Sequence, residues 1–154
     1  MNRILIVFAL LMEFICVQSQ NAYKTGDPGM DNDMRRINVI AKADFGKFKA
    51  DLALAYSVDE MKIEQLHSEL KMEAAEIYLA LEMAKQTNRP VDEIITEYKK
   101  HKGAGWGVIA QQFGIKPGSA EFHALKNSVR SKARSDMHGN AKNKEKKNNG
   151  NNRK

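Results

Sequence analysis

Gly103-Ala104-Gly105-Trp106-Gly107 is the stretch whose residue types point most directly at chemistry. Three glycines within five residues free the backbone for conformations closed to other side chains. They stand just before a helical run, where unpaired backbone N–H groups attract anions. Lys102 and Lys116 would add positive charge, and Trp106 offers a flat face for stacking. A phosphate, a sugar acid or a nucleotide would suit such a corner. It is neither a P-loop nor a dinucleotide fingerprint, because the lysine and hydroxyl are out of place and no strand precedes the glycines. The competing reading is a tight helix–helix corner whose glycines let Trp106 reach the core.

Other groups are weaker candidates. His67, His101, His123 and His138 are scattered, and Glu97 with His101 makes half a metal site lacking a third ligand. The Glu93–Glu97 and Glu69–Glu73–Glu76 sets lie on lysine-rich helical stretches and read as solvated faces. Ser119 reads as a helix cap rather than a nucleophile, since no base is placed for it. Ala110, Gly114 and Ile115, with Lys116, Lys126 and Arg130, have a helix-turn-helix flavour. However, Pro117-Gly118 delays the second helix to Ser119, which makes the turn too long. No catalytic constellation, cofactor site or metal site is expected, and the protein reads as a non-enzyme.

Charge divides the chain. Residues 126–154 hold ten Lys or Arg against two acidic residues, a net +8, while residues 20–125 hold fourteen against sixteen, a net −2. The basic end is therefore an electrostatic ligand for polyanions. No aromatic residue follows Phe122, which argues against base stacking.

The elements that would carry these residues are helical. Met34, Ile37, Ala41, Phe45, Phe48, Leu52 and Tyr56 recur every three or four residues. Asp31 or Asp33 is expected to cap this run, with Gly46 dividing it and Asp44 capping the second piece. A second amphipathic helix after Asp59 carries Ile63, Leu66, Leu70, Ala74, Ile77, Leu81 and Ala84, with its glutamates mostly off that face. Asn88 and Pro90 end it. A third helix points Val91, Ile94, Ile95 and Tyr98 inward, and Gly114 and Ser119 bound the last ones. The expectation is an all-α single domain of five or six helices, cored by Trp106, Phe113, Phe122 and Leu125.

Residues 1–19 have the layout of a secretory signal: Arg3, nine apolar residues from Ile4 to Met12, and Val17-Gln18-Ser19 before the expected cleavage. The expected organisation is signal 1–19, extended lead-in 20–30, helical domain 31–127 and a basic, largely disordered tail 128–154. Cleavage would remove Cys16, the one cysteine, and leave a chain with no membrane span, destined for the periplasm or the medium. In that setting sequence-specific DNA is a disfavoured partner. Anionic surface polymers or lipid headgroups are the favoured ones.

The runs Gly105-Trp106-Gly107-Val108-Ile109-Ala110, Phe113 to Ser119 and Glu121-Phe122-His123-Ala124-Leu125-Lys126 resemble a group of small exported bacterial proteins of unknown function. The likeness is strongest from Pro90 to Lys126 and extends more weakly over Ile37, Ala41, Phe45-Gly46, Phe48 and Leu52. It implies an exported helical protein, and no activity or site residue comes with it. The leading reading is thus an exported accessory or binding module with affinity for anionic surfaces. The alternatives are a small anionic-ligand binder at Gly103–Gly107, or a nucleic-acid binder if the N-terminal segment is retained inside the cell.

Overall fold

The computed structural model describes the backbone of residues 23–149 and the side chains of residues 23–135. The signal segment expected at 1–19 and the last residues of the basic end lie outside them. Among the described residues there are seven helices and no strand: α1 Pro28–Ala43, α2 Phe45–Tyr56, α3 Glu60–Ser68, α4 Ala74–Thr87, α5 Val91–Lys100, α6 Trp106–Gln112 and α7 Ala120–Asn149. No helix among them is long and apolar enough to cross a membrane.

Local chemistry sets most boundaries. The Asp27 carboxylate accepts from Met30 N at 2.8 Å and Pro28 opens the first turn, so α1 starts earlier than Asp31. Asp44 accepts from Lys47 N at 2.9 Å and separates α1 from α2. Asp59 caps α3 through Met61 N. Ser119 Oγ accepts from Phe122 N at 3.1 Å at the head of α7, while Gly114, at φ +82°, takes the left-handed turn after α6.

The Ile63–Ala84 stripe is two helices, not one. Lys71 adopts φ +57°, Met72 turns into the core, and His67 Nδ1 lies 2.9 Å from the Met72 carbonyl oxygen. Glu76 then accepts from Glu73 N at 2.8 Å, half of a capping box that starts α4. This break raises the helix count above the expected five or six.

α4 is the axis of the fold. Ala74, Ala75 and every residue from Ile77 to Ala84 are buried, so it is enclosed on all sides rather than amphipathic. It contacts α1, α2, α3, α5 and α7. The core around it uses four thioethers, Met30, Met34, Met72 and Met83, each at 1% exposure or less. Methionine fills irregular gaps between helices crossing at different angles.

α7 corrects the expected boundary at residue 127. Phe122, Leu125, Val129 and Ala133 are all buried, and α1 is the helix it packs against most extensively. Helix and core thus continue through the segment expected to start a disordered tail, because small apolar residues at four-residue steps lie hidden among the cations. The aliphatic stems of those cations cover the seam. Lys132 Nζ lies 5.1 Å from the centre of the Phe48 ring.

Candidate functional site

Residues 23–27, part of the expected extended lead-in, form a strap across the glycine corner. Trp106 N donates to the Tyr23 carbonyl at 2.8 Å, and Gly107 N donates to the Lys24 carbonyl at 3.0 Å. Those two amides belong to the first turn of α6 and are the donors an anion would need. The chain's own carbonyls hold them, which counts against the anion cradle expected at Lys102, Gly103, Gly105, Trp106, Gly107 and Lys116. Lys102 is exposed beside the corner, while exposed Lys116 lies beyond the opposite end of α6. The strap's own Lys24 reaches in, donating to the Gly103 carbonyl at 3.1 Å.

The glycines answer to this strap. A Cβ on Gly105, at φ +104°, would lie 2.4 Å from Lys24 Cβ, and one on Gly107 would lie 2.9 Å from the Thr25 carbonyl oxygen. Both contacts are closer than real Cβ atoms make. The strap is fixed at its other end too. Thr25 Oγ1 and N both donate to buried Asp31, at 2.6 and 3.1 Å, and Lys126 Nζ pairs with Asp27 at 2.5 Å. The Lys126 contact, more than any other cause, holds the Asp27 carboxyl below its ordinary range.

Beneath the strap lies a polar cluster. The Tyr23 hydroxyl donates to Glu73, and the Asn38 amide donates to both Glu73 and Tyr23. Asn38 Oδ1 accepts from Ala75 N at 2.7 Å. Trp106 Nε1 donates to Glu76 at 3.1 Å, and its ring stacks on Tyr98 with centroids 5.3 Å apart. Burial lifts the Glu76 carboxyl above its ordinary range despite this donor. Burial, with the two glutamates, pushes the Tyr98 hydroxyl up to about 12 and the Tyr23 hydroxyl higher still. Each donor here already has an acceptor, so the cluster ties strap, α1, α4 and α6 together. Glu73 and Glu76, read from sequence as a solvated face, are its acceptors. The clue was Asp27-Pro28, a helix start that leaves Tyr23 to Gly26 as the segment able to fold back.

Two surface features remain. On α7, Asn127, Arg130, Ser131, Arg134 and Ser135 line a shallow depression of about 400 Å³. Buried Asp33 sits 3.8 Å from Arg130 Nε and 3.5 Å from Arg36, holding guanidinium groups from two helices at one carboxylate. The larger feature is a groove of about 980 Å³ between the end of α4, the outer side of α5 and the start of α7. It contains the carboxylate of the Glu97–His101 pair, whose Oε2 lies 3.4 Å from His101 Nε2 and whose Oε1 accepts from Lys100 Nζ at 2.6 Å. The lysine contact, ahead of every other cause, lowers the Glu97 carboxyl. Among the described residues no group of three or more His, Cys, Asp or Glu is placed to hold a metal ion. The helix-turn-helix arrangement meets an obstacle, since its second helix would be α7, with a face already committed to α1.

No protein-family model, curated protein or solved structure matches the chain.

Proposed function

We propose that this protein is an exported, non-enzymatic helical module whose basic C-terminal segment attaches it to anionic polymers or lipid headgroups. The observation that carries the reading is the separation of charge, net +8 over residues 126–154 against −2 over residues 20–125. The described part of that segment supports it. Half-buried Arg130 and exposed Arg134 stand on one strip of α7 beside Asn127, Ser131 and Ser135, and Asp33 pairs with Arg130. Guanidinium groups match the geometry of phosphate and sulfate oxygens. Export is proposed from the first nineteen residues, and it would place anionic surface polymers rather than chromosomes within reach.

Binding to heparin and to anionic vesicles, measured against salt, tests this. Salt should weaken binding steeply, because cations on the protein displace counterions from the polymer. Removing residues 141–154 should flatten that salt dependence and leave the helical signal of the body intact, since the described core ends at Ala133. Unchanged binding in the shortened chain would refute the reading.

A further inference from the structure

The depression on α7 has the chemistry of a site for one kind of group. Asn127, Arg130, Ser131, Arg134 and Ser135 line it, with no carboxylate and no apolar side chain among the described residues of its wall. Ser135 donates its hydroxyl back to the Lys132 carbonyl at 3.1 Å, so Asn127 and Ser131 supply the neutral donors. Arg130 and Arg134 stand one turn apart, about 6 Å along the helix axis. A tetrahedral oxyanion between them can take a forked contact from each.

Both arginines are carried by a helix whose rotation is fixed. Val129 and Ala133, next to them in sequence, are fully buried, and α1 is the main helix they pack toward. A site on packed helices holds its donors more firmly than one on a loop. The same α1 supplies charge from behind. One oxygen of buried Asp33 faces Arg36 Nη1 at 3.5 Å, and the other faces Arg130 Nε at 3.8 Å. A single negative charge is thus divided between two guanidinium groups, and positive charge remains at the surface. The side chains of Arg36 and Arg130 are 50% and 42% exposed, so a ligand can reach them.

We infer that Arg130 and Arg134, with Arg36 behind them and Asn127 and Ser131 beside them, form a binding site for the phosphate or sulfate group of an anionic polymer. The inference rests on the proposed function and narrows it from a charged segment to one site of defined geometry. A wall without apolar side chains has nothing to enter an acyl layer, which favours a polymer over a lipid headgroup.

Arg130→Lys with Arg134→Lys in the full chain keeps the charge and removes both forks. Its heparin affinity at about 0.15 M salt should fall about tenfold, with the slope against salt and the melting temperature unchanged. Arg134→Lys alone leaves the Asp33 pairs intact; it should lose about threefold and serves if the double variant fails to fold. Titration of the unaltered chain with inorganic phosphate at fixed ionic strength should give saturating shifts in the side-chain N–H resonances of Arg130 and Arg134. Undiminished heparin affinity in the folded variants, or arginine resonances that do not saturate, would overturn the inference. Steep, salt-sensitive heparin binding by the same proteins would still leave the proposed function standing. An equal loss of affinity for vesicles of anionic phospholipid would overturn the assignment to a polymer.

Discussion

The glycine corner and the α5 groove flank the same short helix and differ in how they are filled. At the corner, backbone meets backbone, and the fit is fixed by the absence of two Cβ atoms and by amides with no other partner. In the groove, long charged side chains meet directly, at 3.6 Å for Arg89–Glu93 and 2.6 Å for Lys100–Glu97, in pairs that cost little to rearrange. The difference teaches that glycine-rich sequence beside a helix start can mark a place the chain reserves for itself. Charge on a helix flank leaves side chains that can change partners.

Breaking the corner should have the largest effect. Gly107→Val puts a branched side chain where the Thr25 carbonyl oxygen stands and should cost about 3 kcal/mol, the scale of a buried clash that displaces a packed segment. The expected result is a fall in melting temperature of more than about 10 °C by circular dichroism, with a change in Trp106 fluorescence as the strap leaves. Gly103→Ala serves as the contrast. Its φ is +93° but nothing lies within 4 Å of the added Cβ, so only backbone strain of about 1 kcal/mol is expected. Equal losses for the two would end the argument that the strap is what demands glycine.

Next in size, Tyr23→Phe removes the hydroxyl that joins strap to Glu73 and Asn38, with an expected loss of about 1–2 kcal/mol in urea unfolding. The smallest effects concern pH and have opposite signs. Glu76 has a folded pKa above its ordinary value of 4.5, so the folded state holds that proton more tightly. The resulting stability is full below pH about 4.5 and declines as pH rises through the folded value. Asp27 has a folded pKa below its ordinary 3.8; its contribution is present above that value and is lost as pH falls through the folded one. Stability of the native chain relative to Glu76→Gln should therefore fall with rising pH, and relative to Asp27→Asn should fall with falling pH. Denaturant midpoints across pH 2 to about 7 check both slopes.

Helical class, the division at Asp44, the helix start after Asp59, the cap at Ser119 and the inward face of α5 were all legible in the sequence, because each is set by neighbours within one or two turns. Placement of Trp106 in the core was legible too, through the glycines around it. What escaped depends on distant partners. The strap is specified by Gly105 and Gly107, some eighty residues away. The break at 69–73 hides inside an uninterrupted apolar rhythm, and its start signal uses Glu73 where a hydroxyl or Asp is the usual choice. Val129 and Ala133 carry too little apolar surface to stand out among Arg130, Lys132 and Arg134, so a core seam read as a charged tail. A chain segment and an anion satisfy the same two amides, so the glycines and the helix start alone left both readings of the corner open.

The thioether-rich interior has a consequence for how the molecule meets oxidants. Met30, Met34, Met72 and Met83 are shut away, while Met61 on α3 is 70% exposed. Among the described side chains, a mild peroxide reaches Met61 first and adds one oxygen there without disturbing the packing. Further oxygen atoms enter only when the interior opens, and each converts a gap-filling apolar group into a polar one that hinders closure. Oxygen uptake at these four methionines, read peptide by peptide, therefore counts the molecules that have opened, and Met61 serves as the internal standard for exposure to the reagent.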